Sequence, residues 1–237
     1  GYDKENPCKK RSDVRFSDTK GAECDKSKIK DSKTNCGARS PYRRLHLCDH
    51  NLENINDYKN INNDTLLADV CLAAKFEAES LINYRAKYQT DNPDFKTNIC
   101  TELARSFADI GDIIRGKDLY RRDKGEETKL EKNLKTIFKK IYDNLKNTDV
   151  QEHYSDDDKG TKNYYKLRNA WWEANRQEIW KAITCGVSGS HYFRRTCGGG
   201  KNPTETQDNC RCATNYVPTY FDYVPQYLRW FEEWAED

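Results

Sequence analysis

Ten cysteines spread through a chain of 237 residues constrain its folding more than any other feature. They stand at Cys8, Cys24, Cys36, Cys48, Cys71, Cys100, Cys185, Cys197, Cys210 and Cys212. Zinc modules carry paired knuckles with two to four residues between the cysteines. Here the only close pair is Cys210 and Cys212, and of His46, His50, His153 and His191 only the first two have a metal-like spacing. No metal site is therefore expected. An even, well-spread set fits disulfides made in an oxidising compartment. Four of the ten fall in the first fifty residues, where apolar content is too low for a core, so that region is expected to owe its shape to bridges. Spacing alone does not give the pairing, since four cysteines allow three arrangements.

After residue 50 the pattern turns helical. Residues 62–88 place Leu67, Val70, Cys71, Ala74, Ala78, Leu81 and Ile82 on one face, with Asn63 or Asp64 as the expected cap and Asp91-Asn92-Pro93 as the break. A second helix runs through Ile99, Leu103, Phe107, Ile110 and Ile114 to Gly116, a residue suited to a left-handed cap. Gly111 lies inside it and weakens it by ~1 kcal/mol relative to Ala, which points to a close helix–helix approach or a kink.

The third helix carries Leu130, Leu134, Ile137, Phe138, Ile141 and Leu145 as an apolar stripe. Lys132, Lys135, Lys139 and Lys146 lie opposite. The polar stretch 147–163 reads as a surface loop. A fourth helix, closed by Gly186, holds Tyr164, Leu167, Trp171, Trp172, Ile179, Trp180 and Ile183 on more than one face, as expected of a central helix. A glycine-rich, Cys-anchored segment follows. The last helix begins near Pro225 and carries Tyr227, Leu228, Phe231 and Trp234. All five tryptophans, Trp171, Trp172, Trp180, Trp230 and Trp234, are assigned to core. No segment shows sustained strand alternation and no repeat is present, so the class is all-α.

Catalytic signatures are missing or broken. GVSGS ends in Ser190 where a nucleophile elbow needs Gly, and no strand precedes it. The CGGGKN run lacks the first Gly and the final Ser or Thr of a phosphate loop, with Arg195 and Asn202 in those places. Asp156, Asp157 and Asp158 lack the alternating spacing of a calcium loop. There is no dinucleotide fingerprint, so no cofactor is expected and the chain does not read as an enzyme. Asn63-Asp-Thr65 is a glycosylation sequon, better explained by capping.

The overall net charge is only +2, but it is unevenly placed. Residues 1–50 hold 13 Lys+Arg and 8 Asp+Glu, against 28 and 31 in the remainder. Lys26, Lys28, Lys30 and Lys33 form one cluster, and Lys9, Lys10, Arg11 and Arg15 a second. Such clusters attract polyanions over ~8 Å at physiological ionic strength; they also serve simply to keep a protein in solution. Arg43 and Arg44, between Pro41 and Cys48, suit pairing with acidic groups on the helices. Nucleic acid is disfavoured as a partner, since disulfides imply an extracellular setting and no nucleic-acid motif is legible. No run approaches the ~18 apolar residues of a spanning helix, and the opening GYDKENPCKK lacks a signal-peptide core. With no Met, and ending at WFEEWAED, the chain reads as an excised piece of a larger protein.

Six blocks carry a resemblance: PYRRLHLC (41–48), LLADVCLAAKFEAESL (66–81), ARSFADIGDIIRGKDLY (104–120), LKTIFKKIYDNL (134–145), WWEANRQEIWKAITCG (171–186) and VPTYFDYVPQYLRWFEEWAED (217–237). In order and spacing the chain resembles Duffy-binding-like domains. More closely it resembles the alpha type at the head of the erythrocyte membrane protein 1 adhesins of Plasmodium falciparum. The resemblance implies an α-helical fold with a Cys-rich, loop-like first subdomain at residues 1–50 and a helical-bundle second subdomain at 51–237. A third, hairpin subdomain would follow, and an N-terminal segment would precede. It implies Cys8–Cys48 and Cys24–Cys36 bridges, and pairs Cys100 with one of the last two cysteines, Cys212 being preferred. Cys71–Cys185 and Cys197–Cys210 are then assumed for the other four, with neither spacing nor the resemblance fixing them.

The implied function is adhesion by a variant antigen of the infected erythrocyte surface. Its partners would be erythrocyte or endothelial receptors, sulfated glycosaminoglycans such as heparan sulfate, or blood-group sugars, with adjacent adhesin domains of the same chain as neighbours. Lys26, Lys28, Lys30, Lys33, Lys132, Lys135 and Lys139 are the candidate glycan contacts, on physical grounds only. The alternatives are a protein receptor bound through an aromatic-bearing helical face, and an antigenically variable scaffold.

Overall fold

A computed structural model describes residues 5–16, 23–25, 27–30, 38–94, 98–121, 126–155, 163–198, 200–214 and 216–236. The described residues form eight helices: α1 Tyr42–Leu45, α2 His50–Glu53, α3 Asn63–Asp91, α4 Ile99–Arg115, α5 Lys129–Asp143, α6 Thr148–Tyr154, α7 Tyr165–Ile183 and α8 Gln226–Glu236. A single 3-10 turn, Phe221–Tyr223, precedes α8, and the extended pairings are isolated bridges. No described helix is long and apolar enough to cross a membrane.

Helices α3, α4 and α7 pack on one another in pairs and make the core. The central helix is α4 rather than α7: apart from Thr101, every residue from Ile99 to Arg115 is buried. Its left-handed cap Gly116 (φ 74°) ends it as expected. Phe107 is gripped between Trp172 and Trp180, with ring centroids 5.0 and 5.2 Å away.

Several local expectations shift. Asn62, not Asn63 or Asp64, caps α3: its side chain accepts from the Asp64 and Thr65 amides, while Thr65 Oγ1 accepts from the Asn62 amide. The buried face of α3 is centred on Leu66, Val70, Ala73, Ala74, Glu77, Ala78 and Leu81, leaving Leu67, Cys71 and Ile82 half-buried. Residues 148–154 are helical rather than loop because the Asn147 side chain caps them. Asp156, Asp157 and Asp158 lie outside the described residues. Helix α7 ends at Ile183 with Thr184 as its cap, two residues short of Gly186.

Helix α8 is turned around from its apolar pattern. Trp230, Arg229 and Glu233 are buried, whereas Tyr227, Leu228 and Phe231 are exposed, Phe231 to 75%. Trp234 is half-buried. Ion pairs explain the orientation. Arg229 reaches Asp109 (2.8 Å) and Asp112 (2.6 Å) on α4, and Glu233 accepts two hydrogen bonds of 2.9 Å from Arg43.

The first segment is pinned to the helices by arginines rather than left as a charged surface. Arg15 is fully buried and pairs with Glu77 on α3 at 2.5 Å, while Glu77 also accepts from Ser106 (2.7 Å) and the Cys48 amide (3.0 Å). Arg11 pairs with Asp49 and Glu53. Arg43 reaches Asp109 (2.6 Å) and Arg44 reaches Asp118 (2.6 Å). Half of the Lys9–Arg15 cluster is thus internal, since buried carboxylates on the helices demand cationic partners.

Cys8–Cys48, Cys100–Cys210 and Cys197–Cys212 are disulfides. Cys24 is also disulfide-bonded; its expected partner Cys36 lies outside the described residues. The preferred Cys100–Cys212 and the residual Cys197–Cys210 are therefore exchanged. Cys210 is wholly buried beside α7, where its carbonyl accepts from the Trp180 indole (3.2 Å), so it faces the α4 cysteine. The Cys197–Thr204 bridge folds the glycine-rich loop back, within reach of Cys212. Cys71 and Cys185 are free thiols. Gly186, next to Cys185, packs against Ile82, about three turns along α3 from Cys71. A disulfide needs Cα atoms within roughly 7 Å.

Candidate functional site

Among the described residues, charge and concavity coincide at one place. A cavity of about 470 Å³ opens between the first segment, the end of α4 and the start of α5. Lys30 reaches it because its amide donates to the Leu119 carbonyl (2.8 Å) and the Arg121 amide to the Lys28 carbonyl (2.6 Å). That pairing sets residues 27–30 alongside 119–121 and delivers both Lys30 and Arg121 to the rim. Arg44 comes from α1, held by a two-pronged contact with Asp118 at 3.1 and 2.6 Å, and Tyr120 stacks over its guanidinium at 5.4 Å. Burial lowers and Asp118 raises the Arg44 pKa; the pairing prevails, so the group is fixed as a cation.

Helix α5 supplies the opposite wall. Thr128 caps it, accepting from the Glu131 amide at 3.1 Å, and places Lys129, Glu131 and Lys135 on the cavity. The left-handed turn at Gly116 closes the α4 end: a Cβ there would lie 2.8 Å from Tyr165 Cε1.

Lys30 and Lys135, drawn from two separate sequence clusters, thus line one cavity. The other candidates do not join them. Lys26 and Lys33 lie outside the described residues. Lys28 is paired with Glu23 (2.7 Å), a hydrogen bond that raises its pKa, and Lys139 with its own helix neighbour Asp143. Lys135 is held by Glu127. Lys132 is exposed and has no ion-pair partner among the described residues. Sequence reasoning missed Arg44 and Arg121 as cavity residues, along with Lys129. The α5 N-terminus was a signal for Lys129, but nothing local betrays the pairing of residue 30 with residue 119.

A second surface is apolar. Tyr216, Tyr220, Tyr223, Tyr227, Leu228 and Phe231 are all exposed. Tyr216, Tyr220 and Tyr223 follow one another with ring centroids 6.2 Å apart. Exposed aromatic rings in mutual contact, as at Tyr216, Tyr220 and Tyr223, mark an interaction surface.

The Duffy binding domain family model matches residues 37–229. The chain is 24% identical over 199 residues to the Duffy receptor of Plasmodium vivax, covering 83% of this chain and 15% of that protein. It is 40% identical to the N-terminal NTS-DBL1-alpha and CIDR-gamma double domain of PfEMP1 from the Plasmodium falciparum varO strain, covering 97% of this chain and 32% of that one with a TM-score of 0.81. The NTS-DBL1(alpha-1) domain from the same strain is 41% identical, with 98% and 51% covered and a TM-score of 0.79. A PfEMP1 DBLβ domain bound to human ICAM-1 is 32% identical, with 97% and 47% covered and a TM-score of 0.71. The chain therefore spans about half or less of the solved chains, and about a seventh of the curated receptor.

Proposed function

The chain belongs to the Duffy binding domain family, whose members and fold neighbours are adhesion domains and not enzymes, and we propose that it binds an anionic glycan on a host-cell receptor. The observation that carries this reading is the convergence of Lys30, Arg44, Arg121, Lys129 and Lys135 on one cavity beside the exposed Lys132. Contacts of this kind are individually weak and sensitive to salt, and gain strength when many copies face a receptor-bearing surface. Sulfated glycosaminoglycan is the preferred class, and the neutral blood-group sugars are the competing one. The module would face outward on the infected erythrocyte, with residues 1–50 and 51–237 acting as two subdomains of one adhesin. The test is a glycan and receptor array probed with this chain at low and physiological salt. Binding to sulfated glycans that falls steeply with salt supports the reading; binding confined to neutral sugars overturns it.

A second reading rests on the exposed Tyr220, Tyr223, Tyr227, Leu228 and Phe231, a face suited to a protein receptor. Receptor binding that ignores salt and heparin competition, and is lost in Tyr227→Ser with Phe231→Ser, favours it.

A further inference from the structure

The cavity holds more cationic capacity than its own carboxylates use. All five lining carboxylates are engaged: Asp49 and Glu53 by Arg11, Asp118 by Arg44 and the Gln226 amide (2.7 Å), Glu127 by Lys135, and Glu131 by Arg168 (2.7 Å). Two lining lysines are not matched in return: among the described residues the Lys30 ammonium has no ion-pair partner, and Lys129 meets only the neutral Asn54 side-chain oxygen (2.7 Å). Arg44, 3% exposed, keeps Nη1 without a hydrogen-bond partner although its other nitrogens hold Asp118. A buried guanidinium nitrogen in that condition calls for an acceptor.

Arg168 donates to the Ile113 (2.9 Å) and Ile114 (2.6 Å) carbonyls and so neutralises the negative end of α4. The first turn of α5, capped by Thr128, also lines the cavity. Thr128, Asn163 and Tyr165 add hydroxyl and amide groups of the kind that meet sugar hydroxyls. A volume of about 470 Å³ suits a small ligand rather than a long chain.

We infer that this cavity takes a single oxyanion, carboxylate or sulfate, carried on a sugar-sized ligand, with the Lys30 ammonium as its principal contact and Arg44 as the fixed charge beneath. The inference rests on the glycan reading above and deepens it by naming the subsite.

Calorimetry with lactose, sialyllactose and sulfated lactose tests it, because the three share a core and differ in the anionic group. At least one anionic probe binds roughly tenfold more tightly than lactose, and whichever does so identifies the oxyanion. Lys30→Gln removes that advantage, while Lys75→Gln, exposed on α3 and outside the cavity lining, behaves as the parent. Equal binding of all three probes, or a Lys30→Gln protein that binds as the parent does, overturns the subsite. If heparin retention persists in either of those cases, the broader glycan reading survives and only the subsite fails; if no anionic probe binds and the parent also fails to retain on heparin, both fail.

Discussion

Gly111 on α4 lies against the face of Trp172 on α7, so close that a Cβ at Gly111 would stand 2.7 Å from Trp172 Cζ2. The glycine breaks the helix propensity of its segment in order to let two helices meet. Gly111→Ala therefore brings two opposed effects: a gain of ~1 kcal/mol in propensity, and an overpacking penalty of ~1–3 kcal/mol because an indole ring buried on every side has nowhere to move. Net destabilisation in urea unfolding is the expected result.

Trp230 and Phe231 are sequence neighbours with opposite fates. Trp230→Ala removes a fully buried ring and costs ~3–5 kcal/mol, whereas Phe231→Ser, at 75% exposure, changes stability by less than ~0.5 kcal/mol. Thermal melts of the two variants check the orientation of α8.

Most of the helical framework was legible because its apolar residues recur at helical spacing. Helices α3, α4, α5 and α7 fall where periodicity put them, and Gly116 and Gly111 do what their positions implied. The rest escaped for one physical reason. The α8 interface and the anchoring of the first segment are built from charged groups: Arg15 with Glu77, Arg43 with Asp109 and Glu233, Arg229 with Asp109 and Asp112. Hydrophobic patterning sees such residues as surface. For the same reason Arg11 and Arg15 read as a binding patch, while the cavity, which needs residues 30, 44, 121 and 129 side by side, has no local sequence signature.

This charged core makes stability depend on pH in two opposite ways. Burial pushes the Asp112 carboxyl up to about 6, against the pull of Arg229 and Arg115. An unfolded Asp titrates near ~3.9, so the native state holds the proton longer, and the stability from this group is full below about pH 4 and is lost as pH rises through about 6. For Asp109 burial also favours the proton, but Arg43, Arg229 and Arg44 outweigh it and hold the carboxyl well below the usual range. Its contribution is present above ~3.9 and is lost as pH falls toward its native pKa. Asp112→Asn removes only the first effect. Relative to that variant, the parent should gain stability as pH drops from about 7 to about 4, read from urea midpoints at each pH. A difference that stays flat across that window contradicts the assignment.

The two free thiols should behave differently. Cys185 is exposed and reacts with a thiol reagent in the native protein, whereas Cys71 is half-buried, its thiol pushed up to about 11 by burial, and reacts only on unfolding. Trypsin cleaves after Arg211, which lies between Cys210 and Cys212, so peptide mapping separates the Cys100–Cys210 and Cys197–Cys212 pairs from the exchanged ones. A Cys71–Cys185 linked peptide would refute the described packing of α3 on α7.

Cations gathered from distant parts of the chain are proposed to act as one recognition surface. The most direct measurement is the salt concentration at which the folded protein leaves immobilised heparin, compared for the parent, a Lys30→Glu/Lys132→Glu pair, and a control pair, Lys59→Glu/Lys75→Glu, that alters net charge equally. A clear fall in elution salt for the first pair, with parental melting and little change in the control, is the predicted result; equal shifts in both pairs would mean that net charge, not the cavity face, governs binding.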